Sequence, residues 1–151
     1  MQVTNASERL GCVLALGLLL AGCREQPRAT PNLAGTNWQL AELRSLGSAD
    51  TIVRPDDAAK YELDFTADGS LAMRLDCNRG SAHWSAKGTP EGYGELTIGP
   101  AAMTRAMCPP GSLDNRLAQE ISLVRRYSIE DGRLMLILDA DHGMQVWSSK
   151  P

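Results

Sequence analysis

Hydrophobic and polar residues alternate with period two over several short stretches, and this pattern predicts a mainly β chain. The clearest case is Tyr61-Glu62-Leu63-Asp64-Phe65, with Tyr61, Leu63 and Phe65 on one face and two carboxylates on the other. Ala67-Asp68-Gly69 then supplies a hairpin turn. Leu71, Met73, Leu75 and Cys77 alternate against Ala72, Arg74 and Asp76, which predicts a returning strand with the Cys77 sulfur pointing inward. Asn78-Arg79-Gly80 breaks the pattern and predicts a tight turn or bulge, because Asn and Gly tolerate positive φ.

Weaker signals fill in the rest. Leu33 to Leu40 reads as a first strand, with Trp38 and Leu40 on one face. Residues 45–59 read as a loop with a helical turn near Asp57–Lys60. Ser81 to Ala86 forms a strand around Trp84, residues 87–94 an exposed hairpin loop, and Leu96 and Ile98 the next strand. Ala101 to Cys108 is a further extended piece. Pro109-Pro110-Gly111-Ser112 stops the sheet and opens a helix, with Ser112 as N-cap and Asp114 in the first turn. Leu113, Leu117, Ile121 and Val124 share one helical face, and Arg125-Arg126 falls in the last turn. Tyr127 and Ile129 precede the turn Glu130-Asp131-Gly132. The run Leu134–Leu138 is apolar on both faces, as in a covered strand. Residues 139–143 turn the chain, and Met144 to Ser148 is the last strand.

The amino-terminal segment follows a different logic. Arg9 precedes an apolar run from Leu10 to Leu20. That is about 11 residues, short of the roughly 20 needed to span a bilayer. Residues 1–22 therefore read as a signal peptide. Leu20-Ala21-Gly22-Cys23 resembles a bacterial lipobox, in which the Cys23 thiol takes a diacylglycerol before cleavage. An amide-linked chain such as palmitate usually joins it, and two or more acyl chains anchor a protein stably. Residues 23–32 are then a lipidated polar tether carrying two prolines. Aspartate after the cysteine retains enterobacterial lipoproteins at the inner membrane, so Arg24 favours the outer one. The expected location is the periplasmic side of the bacterial cell envelope.

This address changes how the cysteines are read. Of four, Cys12 leaves with the signal peptide and Cys23 is lipidated. Cys77 and Cys108 remain in an oxidising compartment, and the simplest reading joins them in a disulfide. Two buried free thiols are the alternative. Closing a loop of about 30 residues would stabilise by roughly 3–4 kcal/mol in the chain-entropy model.

Composition adds mainly exclusions. The chain has 151 residues and net charge −3 with interspersed signs, so nucleic acid is not an expected partner. His83 and His142 are the only imidazoles, and neither joins a nucleophile–base pattern if Cys77 is bridged. No catalytic residue is assigned. Asp139-x-Asp141-x-Gly143 echoes a calcium loop, but Lys150 stands where position 12 needs Glu. No metal or cofactor is expected. Met73, Met103, Met107, Met135 and Met144 either fill gaps in the core or line an adaptable apolar site.

Leu33–Trp38, Phe65–Gly69, Cys77-Asn78 with Gly80, Met103-Thr104 to Cys108, the helix and Leu134–Leu136 together resemble the META domain of HslJ-like lipoproteins, over residues 33–149. The resemblance implies a small antiparallel β-barrel-like sheet with one packed helix (α+β, mainly β), in agreement with the eight or so strands read above. It also implies association with stress tolerance and antibiotic resistance, without a defined reaction. The fold looks like that of secretin pilot proteins, cracked barrels that hold acyl chains; that likeness is analogy only. The expected function is a non-catalytic envelope lipoprotein, held to the membrane through Cys23, that binds or supports another envelope component. The alternative is a carrier of a lipid or other hydrophobic ligand in the barrel interior. A filled interior favours the first, and an open apolar pocket of some 300 Å³ the second. Surface binding is expected at the Asn78–Gly80 turn and the 87–94 loop.

Overall fold

The computed structural model describes residues 32–46 and 51–150. The strands are β1 (Thr36–Ser45), β2 (Thr51–Val53), β3 (Tyr61–Phe65), β4 (Ser70–Leu75), β5 (Asn78–Gly88), β6 (Tyr93–Ile98), β7 (Ala102–Met103), β8 (Val124–Glu130), β9 (Arg133–Leu138) and β10 (Met144–Ser149). One helix, α1 (Asp114–Glu120), lies between β7 and β8. The pairing order is β10-β9-β8-β6-β5-β4-β3-β1, and β1 pairs back to β10. All these pairings are antiparallel, so eight strands close a barrel without a free edge. β2 lies outside β1, and β7 lies beside the first half of β5.

An eight-stranded barrel leaves an interior just wide enough for side chains to fill. Here Leu40, Leu63, Phe65, Leu71, Leu134 and Trp147 are essentially inaccessible and belong to one continuous core. The alternation read over Tyr61–Phe65 and Leu71–Leu75 appears as inward and outward positions of the β3–β4 hairpin. Its turn end is reinforced by an edge-to-face contact of Phe65 with Trp84, ring centroids 5.3 Å apart.

Several elements differ from expectation. The turn placed at Asn78–Gly80 lies two residues earlier. Leu75 pairs with Asn78, so Asp76-Cys77 form the loop, with Asp76 at φ 57°. Aspartate tolerates that left-handed conformation. Cys77 is therefore exposed rather than inward, and Asn78 takes the buried position. β1 starts later and runs further than read. A register shift against β10 between Leu40 and Glu42 returns Leu43 to the core, which simple alternation could not show. The short β2 was read as loop.

The helix is shorter than its apolar stripe. It ends at Glu120, a 3-10 turn covers Ile121–Leu123, and Val124 opens β8. Leu117, Ile121 and Val124 are all buried, so the stripe is a core face that passes through two conformations. Arg125 and Arg126 thus lie on a strand. Arg125 donates to the Ser122 carbonyl in the 3-10 turn, to the Val124 carbonyl and to Asp139, tying the turn to the start of β8. The Ser112 hydroxyl accepts from the Asp114 N–H at 3.3 Å, although the residue flanking α1 is Leu113.

α1 closes one end of the barrel through polar contacts to strand ends. The Leu113 N–H donates to the Tyr61 hydroxyl on β3 (3.0 Å). Arg116 donates to Ser45 on β1 (3.0 Å) and to Glu120 (2.6 Å). Glu120 in turn accepts from Gln145 on β10 (3.0 Å), and Gln145 accepts from the Trp147 indole (3.3 Å). Gln145 is wholly buried, so its two bonds satisfy amide atoms that water cannot reach.

Two predictions follow from this packing. Gln145→Leu leaves the Trp147 N–H and one Glu120 oxygen unpaired, and should lower the unfolding free energy in urea by about 1–3 kcal/mol. The second concerns Glu62 on the outer face of β3. Burial alone would raise its pKa, but hydrogen bonds from Gln39, Lys150 and Arg74 outweigh that and hold it at about 2, against an ordinary 4.5. A lowered folded-state pKa contributes stability that is complete above 4.5 and disappears as pH falls toward about 2. Thermal melts across that window should show this loss, and Glu62→Gln should flatten that part of the profile.

Candidate functional site

Asn78 opens β5 and is only 4% exposed. Its side-chain amide faces the segment after β7. The Oδ1 atom accepts from the Ala106 N–H (2.8 Å) and the Thr104 hydroxyl (3.0 Å). The Nδ2 group donates to the Ala106 carbonyl (3.0 Å) and to the Asp114 carboxylate on α1 (3.0 Å). One primary amide thus engages both backbone groups of Ala106, as a neighbouring strand would. Further back, β7 pairs Met103 with Gly80, and the Thr104 N–H donates to the Arg79 carbonyl (2.9 Å). Asn78 therefore carries the β5–β7 ladder one step past its backbone end.

The disulfide fastens the same segment from the other side. Cys77 and Cys108 are bonded at 2.01 Å with Cα atoms 5.5 Å apart, within the ordinary range. Asn78 Nδ2 lies 3.4 Å from the Cys108 sulfur, so bridge and amide form one node.

This node holds one wall of an open cleft of about 430 Å³. Met103, Thr104, Arg105, Ala106 and Met107 form that wall, and Asn115, Ala118 and Gln119 of α1 form the other. Met107 is 99% exposed, whereas Met73 is a core residue at 3%. Arg105 is exposed and carries no ion pair among the described residues. The cleft lies outside the barrel, whose interior positions are occupied by core side chains.

The other sequence-derived candidates scatter. Cys23 lies outside the described residues, as do residues 1–22, expected as a signal peptide, and nearly all of residues 23–32, expected as a tether. His83 is exposed on β5, and His142 is exposed in the turn before β10, its Nδ1 2.8 Å from the Asp139 carbonyl oxygen. Neither lines the cleft. Among the described residues no three His, Cys, Asp or Glu side chains gather as metal ligands. Asp139 binds Arg125. Of the two surface patches expected, Asn78 is buried, and Gly88, Thr89 and Pro90 border a separate hollow near Trp84 and Tyr127. In the sequence the cleft wall shows only as an extended piece, and the role of Asn78 carries no signal beyond a polar residue beside a cysteine.

A closed β-barrel with a packed interior, one end covered by a helix and a pinned outer cleft, defines a small barrel module. The chain belongs to the META domain family, whose model matches residues 31–151. In solved structures the fold is similar to an NMR structure of a protein from Burkholderia xenovorans, with TM-score 0.64 and 17% identity over 99% of each chain. It is also similar to a DUF4847-family protein from Bacteroides vulgatus, with TM-score 0.54 and 14% identity over 77% of this chain and 93% of the other. At these identities the likeness is one of fold. No curated protein matches the chain.

Asn78→Ala removes both bonds to Ala106 and the partner of the buried Asp114 carboxylate, and should lower stability by about 1–3 kcal/mol. Reduction of the bridge should cost roughly 3–4 kcal/mol. Because both act on one segment, urea unfolding of reduced Asn78→Ala should show a combined loss clearly smaller than the sum.

Proposed function

We propose that this chain is a non-catalytic binding module of the bacterial cell envelope, lipid-anchored at Cys23, that holds another envelope component through the cleft between residues 103–107 and α1. The observation that carries this reading is the contrast between interior and exterior. Core side chains fill the barrel, while an outer segment is pinned to expose a nearly bare methionine and a guanidinium with no ion pair among the described residues. A carrier using the barrel interior would need space that those side chains take up. Exposed Met and Arg suit a binding surface, since Met adapts its shape and Arg supplies directed donors. The stress role comes from the family resemblance. Membrane attachment rests on Leu20-Ala21-Gly22-Cys23, and outer-membrane sorting on Arg24.

Both halves are testable in cells. Cys23→Ala should release the chain from the membrane fraction and abolish labelling by a palmitate analogue; unchanged attachment would exclude the anchor. A photo-crosslinking residue at Met107 should give a discrete adduct in intact envelopes, and the same residue at Asp131, in the β8–β9 turn, should not. Equal adducts from both positions, or none from Met107, would contradict a role for the cleft.

A further inference from the structure

The backbone of the cleft wall says more than its side chains. In an extended segment, alternate residues direct their N–H and C=O groups to opposite sides. Thr104 and Ala106 turn theirs toward β5, where Arg79 and the Asn78 amide engage them. Arg105 and Met107 therefore turn theirs away from β5. No hydrogen bond within the described residues engages the N–H or C=O of either one. β7 ends at Met103 and pairs with β5, so Arg105–Met107 continue past it as a short backbone edge whose outer side is unpaired among the described residues.

Such an edge is ordinarily a hazard, and proteins shorten or cover it. Here it is held open by the Cys77–Cys108 bridge and the Asn78 amide, and it borders a cleft with room beside it. From Arg105 to Met107 the edge offers two donors and two acceptors over about 7 Å, at roughly 3.4 Å per residue. That matches a short stretch of extended peptide. Across the cleft, Ala118 of α1 and Met103 of the opposite wall give the lining an apolar part. Arg105 adds a positive charge without an ionic partner among the described residues, which favours an acidic side chain on the incoming strand.

We infer that the cleft takes an extended peptide segment of a partner protein, bearing an acidic residue next to an apolar one, which adds as a strand along Arg105–Met107. This deepens the cleft reading of the previous subsection and rests on it. Main-chain hydrogen bonds would supply affinity, and Arg105 with the apolar lining at Met103 and Ala118 would supply selectivity. The strand would extend the β5–β7 ladder outward.

The test uses the oxidised chain and a random library of linear dodecapeptides, with recovered peptides examined by amide NMR. Recovered sequences should be enriched in Asp or Glu beside an apolar residue. Their binding should slow exchange of the Arg105 and Met107 amide protons while leaving Ala106 unchanged. Arg105→Glu should weaken binding at least tenfold. Met107→Pro, which removes an N–H that has no partner among the described residues, should weaken it similarly while the remaining spectrum stays native. Peptides that perturb another face, that bind equally well to both variants, or an empty selection would overturn strand addition. So would decanoate that saturates shifts around Met103 and Met107 while every peptide is inert. If the Met107 crosslink still forms in envelopes after such a failure, the cleft reading stands and the strand mode falls. If the crosslink is also lost, both fall.

Discussion

A single primary amide does for Ala106 what a strand would otherwise do. Asn78, itself buried, donates to its carbonyl and accepts from its N–H, both at hydrogen-bond distance. Few side chains offer this donor–acceptor pair in a plane, and a buried one demands full satisfaction. The remaining Nδ2 proton reaches Asp114, so the same group also registers α1 against the start of β5. The Cys77–Cys108 bridge then shortens the unfolded chain's freedom at the same place. Remove the node, and the 104–108 segment has only Thr104 tied to β5 by backbone bonding.

The rest of the molecule makes an interior site difficult. Closure of eight strands removes the sheet edges, and leucines with Phe65 and Trp147 occupy the space within. α1 then covers one end, tied by Arg116, Glu120 and Gln145 to β1 and β10. A polar chain of this kind is costly if half-satisfied and stiffening if complete. What is left for binding is the outside, and the cleft wall presents backbone without a neighbouring strand beside a hollow lined by α1.

Much of the barrel was legible in the sequence because its inward positions repeat with period two. Tyr61, Leu63 and Phe65, then Leu71, Met73 and Leu75, show their faces without any structure. The same rule misplaced Cys77, because a cysteine after three apolar positions looks like a fourth, while a two-residue loop had already reversed the chain. The register shift at Leu40/Glu42 and the change from helix to strand around Val124 were hidden for a related reason. Burial spacing persists through both, so apolar pattern alone cannot report the backbone beneath it. The site was less legible still. Its wall has little backbone pairing and its anchor is a buried asparagine, a residue whose usual place is a turn. Exposure of Met107 depends on which way a short unpaired segment faces, and that is decided by contacts 28 residues away in sequence.

The most direct measurement is residue-resolved amide hydrogen exchange over 101–108 in the free, oxidised protein. The amides of Thr104 and Ala106 should be protected, with Arg105 and Met107 between and after them exchanging rapidly. Uniformly fast exchange would show that Asn78 does not hold the segment, and uniform protection would show that its outer edge is already covered; either pattern contradicts the account.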